Sequence, residues 1–160
     1  GVKLRKLSLS EWASVAEIVA AIVIILSLGY VGLELNQNTN ATQQSSYQAT
    51  LDTLTEGDYL LASNQELNKI VSTAETTPSE LNDDEWSRFT RFAMPRIGSW
   101  EYMFLARQTN SISESHWMAF NPYFEYLICT AGYKRYFQEN TYQYNLEFSQ
   151  YVQGIVGECT

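Results

Sequence analysis

The sequence predicts an all-α protein: a long N-terminal transmembrane helix that continues into a small extramembrane helical bundle. Three observations carry that expectation. Residues 13–33 form one apolar run. Beyond it, apolar and aromatic side chains recur every three or four residues, the spacing of a helix face. Several of the later segments also open on Asn or Ser, residues that cap helix starts.

The chain has 160 residues, enough for one domain and an appendage. It is 45% hydrophobic and 18% charged, a balance that excludes a disordered chain. Lys3, Arg5 and Lys6 all precede the apolar run. From Glu34 onward seven basic side chains face 16 acidic ones. An acidic domain repels phosphate backbones, so no nucleic-acid partner is expected.

Residues 13–33 make a helix of about 31 Å, which matches a hydrocarbon core of about 30 Å. Ser8-x-x-Glu11 reads as the capping box that starts it. Trp12 and Tyr30 stand near its two ends, where aromatic belts form. Three basic residues precede the span and none follows before Lys69. The positive-inside rule then places residues 1–12 in the cytoplasm and residues 34–160 outside it. No small-x-small cleavage site ends the run, so an uncleaved signal anchor of a single-pass protein is expected rather than a removed signal peptide.

Glu17 is the only charged residue in the run. Ala13, Ala16, Ala20 and Ser27 are small, and Ala16-x-x-x-Ala20 is a spacing that lets helices approach closely in lipid. Ala13, Glu17, Ala20, Ala21 and Ile24 share one side, so the carboxyl lies on the small-residue face. Two readings of Glu17 stand side by side. It faces the interior of an oligomer as an intramembrane polar site. Or it lies about 6 Å from the inner boundary and reaches back to the headgroups.

Residues 35–40 are polar but hold no Pro or Gly. Tyr47, Leu51, Leu54, Asp58 and Leu61 then follow at helical spacing, with one polar interruption. One helix is therefore expected over residues 10–62, loosened at Gly57. The block Ala16-Glu17-Ile18-Val19-Ala20-Ala21-Ile22-Val23-Ile24-Ile25-Leu26-Ser27-Leu28-Gly29-Tyr30, followed by Glu34-Leu35-Asn36-Gln37-Asn38-Thr39, resembles a widespread family of small uncharacterised bacterial single-span membrane proteins with a helical extracytoplasmic domain. The resemblance implies a bacterial inner-membrane location and a periplasmic domain. It implies no activity. That family places a basic residue just before its Gln-Asn-Thr run, where this chain has Asn36. Any role of such a residue does not carry over.

Ser63-Asn64 breaks the first helix, and residues 65–74 predict a short second one. Asn82 followed by Asp83, Asp84 and Glu85 is a strong helix start. The helix it opens runs to Gln108, with a kink expected at Pro95. Arg88, Arg91 and Arg96 are the nearest approach to an anion site. An Asp84–Arg88 pair at i, i+4 argues for salt bridging within the helix instead. Ser113 caps the next helix. Pro122 kinks or restarts it with Asn121 as cap, and Gly132 ends it. Residues 133–139 and 144–156 make the last two helices.

A single histidine, His116, supports no His-based metal cluster, and no metal or cofactor is expected. Cys129 and Cys159 are the only cysteines. Outside the cytoplasm they would form a disulfide whose loop of roughly 30 residues adds about 3–4 kcal/mol. The alternative is two buried thiols. The expected function is that of a non-enzymatic, membrane-anchored structural or interaction protein that self-associates through its transmembrane and stalk helix. Its partners would be the lipid bilayer, further copies of itself and other membrane proteins. An ion- or proton-conducting homo-oligomer with a Glu17 ring, and an extracytoplasmic sensor or accessory subunit of a larger complex, are the alternatives.

Overall fold

The computed structural model describes residues 8–159. Lys3, Arg5 and Lys6, on which the expected orientation rests, lie outside the described residues. Regular structure among the described residues is helical throughout. By internal contacts the chain divides into two units, Gly1–Ala41 and Thr42–Thr160. Helix α1, Leu9–Ser63, has residues in both.

The first unit holds the apolar part of α1. Ser8 and Glu11 form the capping box: the Ser8 N–H donates to Glu11 Oε2 at 2.7 Å, and the Glu11 N–H to Ser8 Oγ at 3.3 Å. α1 is long and apolar enough to cross a membrane. Its most apolar window has a mean hydropathy of 2.4, and none of that window is buried inside the chain.

The second unit is a bundle. It contains the C-terminal part of α1, from Thr42, and five shorter helices: α2 (Gln65–Thr76), α3 (Asp83–Gln108), α4 (Glu114–Ile128), α5 (Ala131–Asn140) and α6 (Leu146–Glu158). Short 3₁₀ turns at Pro78–Glu80 and Thr141–Gln143 punctuate the connections. Asn64, Asn82, Ser113 and Asn145 each accept a backbone N–H at a helix start. Asn82 does so in a capping box with Glu85.

Three expectations are corrected by packing. α1 does not end or loosen at Gly57, which is a buried helical residue. α4 does not restart at Pro122 but continues through it, as α3 continues through Pro95. Both prolines lie on exposed faces, where the carbonyls deprived of an N–H donor can meet water. Asn121 is thus no cap but a buried interior residue. Gly132 does not end α4; it lies in the first turn of α5. A Cβ there would stand 2.5 Å from the Ala74 carbonyl oxygen, so only glycine lets α2 and α5 approach this closely.

Trp100 is the centre of the core. It is fully buried, stacked on Phe124 at 5.6 Å and edge-on to Phe148 at 5.4 Å. Its indole N–H donates to Asn121 Oδ1 at 2.8 Å. Tyr151 shares its hydroxyl proton between that oxygen (3.1 Å) and Glu125 Oε1 (3.0 Å). Burial pushes the Tyr151 phenol up to about 12, so it stays a neutral donor. Cys129, after α4, is bonded to Cys159, after α6, with Cα atoms 5.4 Å apart. α1 reaches this core through Tyr47, Leu51, Leu54 and Leu61.

The glycines give a paired test by denaturant unfolding followed by circular dichroism. Gly132→Ala should lose about 1–3 kcal/mol, because a backbone carbonyl must move. Gly154→Ala, whose Cβ meets nothing within 4 Å, should gain about 0.5–1 kcal/mol. Equal effects of the two changes would contradict the close approach of α2 and α5.

Candidate functional site

Arg96 sits in the middle of α3 and retains 4% exposure. A buried guanidinium costs several kcal/mol unless its charge and its N–H groups are matched. Two other helices contribute to that matching, and two more border it. From α1, Asp58 Oδ1 accepts from Arg96 Nη2 at 2.7 Å. From α4, the Tyr123 hydroxyl accepts from Nη1. Tyr133 of α5 and Glu75 of α2 lie close enough for its charge to act on theirs. Within α3 itself, the guanidinium carbon lies 4.7 Å from the centre of the Phe92 ring.

Gly57 explains how the guanidinium fits. A Cβ on Gly57 would stand 2.8 Å from Nη2 and 3.2 Å from Nε, so with any other residue here the guanidinium end would have to shift from its present place. Two buried polar atoms at this junction have no protein partner among the described residues: Arg96 Nε and the Tyr133 hydroxyl.

The charges follow from burial. Burial works against the charge on Arg96, and the Asp58 hydrogen bond and neighbouring charges together outweigh it, leaving the guanidinium pKa raised. Burial raises the Glu75 carboxyl above its ordinary value, and the Arg96 charge pulls it partly back. Burial likewise raises Tyr133 far above the ordinary phenol value. The junction is a polar fastener holding the outer end of α1 to the bundle. Among the described residues, no three His, Cys, Asp or Glu side chains gather as metal ligands.

The other residues singled out by sequence are distributed as follows. Glu17, Ala13, Ala16, Ala20 and Ser27 are all exposed on α1. The Ser27 hydroxyl donates to the Val23 carbonyl at 2.7 Å, so it is satisfied within its own helix. Of the three arginines considered together, Arg88 pairs across to Glu66 of α2 rather than with Asp84. Arg91 is exposed, and only Arg96 is buried. His116 stacks on Tyr47 at 4.6 Å between ring centres.

The partners of Arg96 were not foreseen, yet one carried a signal. Asp58 interrupts an apolar stripe at a position where a leucine fits the period, and an acid on a core-facing stripe invites a cation from the element packed against it. Tyr123, Tyr133 and Glu75 carried none, because only the fold brings α2, α4 and α5 to the same point.

The two partners of the ion pair should behave unequally. Asp58→Asn leaves the buried guanidinium without a counter-charge and should cost about 1–2 kcal/mol, a value discounted because Asp58 is 72% exposed. Arg96→Met removes the charge, keeps much of the volume and should fall within about 1 kcal/mol of the parent. Unfolding in denaturant at neutral pH reads both, and a larger loss for Arg96→Met would refute the assignment. Glu75 gives a pH test. Its folded pKa is raised, so the folded state holds that proton more tightly than the unfolded one. Its contribution is therefore most favourable in acid and is lost as pH rises through the folded value. Glu75→Gln should raise the melting temperature at pH 7, and that gain should shrink towards pH 4. No protein-family model, curated protein or solved structure matches this chain.

Proposed function

We propose that this chain is a non-enzymatic structural or interaction protein, anchored in a bacterial inner membrane by residues 13–33, that self-associates. In this reading the N-terminus is cytoplasmic and the bundle is periplasmic. The observation that carries it is the apolar window of α1, which the chain leaves wholly unburied. Ile18, Ile22 and Ile25 are more than half exposed in the isolated chain. A surface of that kind is stable only against lipid or another apolar helix. Its face of Ala13, Ala16 and Ala20 supports the second contact, since small residues let helix backbones approach where lipid provides no hydrophobic drive. The Cys129–Cys159 bond supports an oxidising compartment for the bundle.

Glu17 lies on the same face and is exposed, so self-association would bring its copies together. This favours a second reading, in which a ring of carboxylates passes ions or protons.

Native mass in mild detergent should exceed one chain. The double change Ala16→Leu with Ala20→Leu should weaken association at least tenfold. A monomer at all concentrations would exclude both readings and leave an accessory subunit. Equal liposome flux for the parent and Glu17→Gln would exclude the carboxylate ring alone.

A further inference from the structure

Within the second unit, a groove runs between the outer end of α1 and α3. It consists of two adjoining hollows of about 380 and 190 Å³ that share Thr53 and Pro95. The α1 side runs from Ala49 to Leu60, and the α3 side from Tyr102 to Arg91. Each side spans 12 residues, or about 17 Å of helix.

Gly98 lies in this groove. A glycine inside a helix lowers its stability, and proteins keep one where a close neighbour requires it. Gly57 and Gly132 have such neighbours in Arg96 and Ala74. Gly98 has none: a Cβ there meets nothing within 4 Å. Gly154 and Gly157 are equally open, so it is the groove around Gly98, and not the glycine alone, that offers room to a neighbouring backbone. Met94 and Tyr102 flank Gly98 on the same face of α3 at four-residue spacing and are 51% and 48% exposed. Leu60 edges the α1 side at 44%. Exposed Tyr, Met and Arg around small residues is the composition of a protein interface.

The charges of the groove are self-complementary. Glu56 of α1 and Arg91 of α3 line the same hollow. Neither appears in an ion pair among the described residues, with the other or with a third residue. In a two-fold dimer each residue meets the equivalent of its own partner, so one surface that carries both signs can neutralise itself twice.

We propose that the α1/α3 groove docks a second copy of this chain about a two-fold axis. Gly98 lets the backbones approach, and Glu56 of each copy pairs with Arg91 of the other. This inference rests on the self-association proposed above and assigns it a surface outside the apolar span.

The test uses the full chain in mild detergent, with the dimer dissociation constant measured by sedimentation and thermal melts run on every variant. Glu56→Arg and Arg91→Glu should each weaken dimerisation at least tenfold. The doubly reversed chain should return to within about threefold of the parent, because it restores opposite signs. Gly98→Leu should weaken dimerisation at least tenfold while melting no lower than the parent, since its side chain fills open space. Single reversals that leave the dimer intact, or a double reversal as weak as the singles, would overturn the docking surface. If the Ala16→Leu/Ala20→Leu chain dissociates while the charge variants do not, self-association stands and the groove does not carry it. A monomeric parent removes both. Phospholipid that co-purifies with the parent and is lost in Gly98→Leu, with mass unchanged by the reversals, would assign the groove to an acyl chain and overturn the proposal.

Discussion

The seating of α1 on the bundle depends on one constraint: a guanidinium must be kept charged where water barely reaches it. Arg96 sits in the middle of α3, and its needs dictate residues on other helices. Gly57 leaves room for it, Asp58 follows to supply the counter-charge, and α4 is turned to present Tyr123. These demands also fix the register of α1. Sliding α1 by one turn in either direction would put Leu54 or Leu61 where Gly57 stands, and a leucine would collide with the cation. An apolar face tolerates slippage better than this, because one aliphatic side chain replaces another at modest cost.

The bundle contains a second polar junction of opposite character. Around Trp100, the groups of Asn121, Glu125 and Tyr151 satisfy one another, with Asn121 Nδ2 donating to Glu125 at 2.7 Å. That network is closed and surrounded by rings, which suits a site whose task is to hold shape. The Arg96 junction is less complete. It leaves Nε and the Tyr133 hydroxyl unmatched and draws its main counter-charge from an exposed aspartate. The firmer network binds α3 to α4 and α6, and the weaker one binds α1. If one attachment in the bundle yields first, the physical chemistry points to α1.

The helices themselves were legible because their signals are local. The apolar run, the Asn82 capping box and the three-four spacing of Phe89, Ala93, Ile97 and Trp100 each act within a few residues. Where the reading failed, a distant backbone decided the matter. Gly132 looked like a helix end, but its reason is the Ala74 carbonyl on α2. Asn121 before Pro122 looked like a cap, but its side chain serves Trp100 on α3. Arg88 had an acid four residues away and pairs instead with Glu66 on another helix. Propensity at one position is worth about 1 kcal/mol, and a tertiary contact of this kind outweighs it. The Arg96 junction was half visible, through Arg96 itself and through Asp58 as the odd residue in an apolar stripe.

The Cys129–Cys159 bond has a consequence for biosynthesis. Its second sulfur follows α6, so the covalent tie cannot form until α6 has left the ribosome and reached an oxidant. Until then Cys129, which is exposed beyond α4, is a free thiol open to mixed disulfides. Correct closure with Cys159 therefore competes with any mixed disulfide formed in that interval, and thiol–disulfide exchange is the step that would recover a wrongly paired chain.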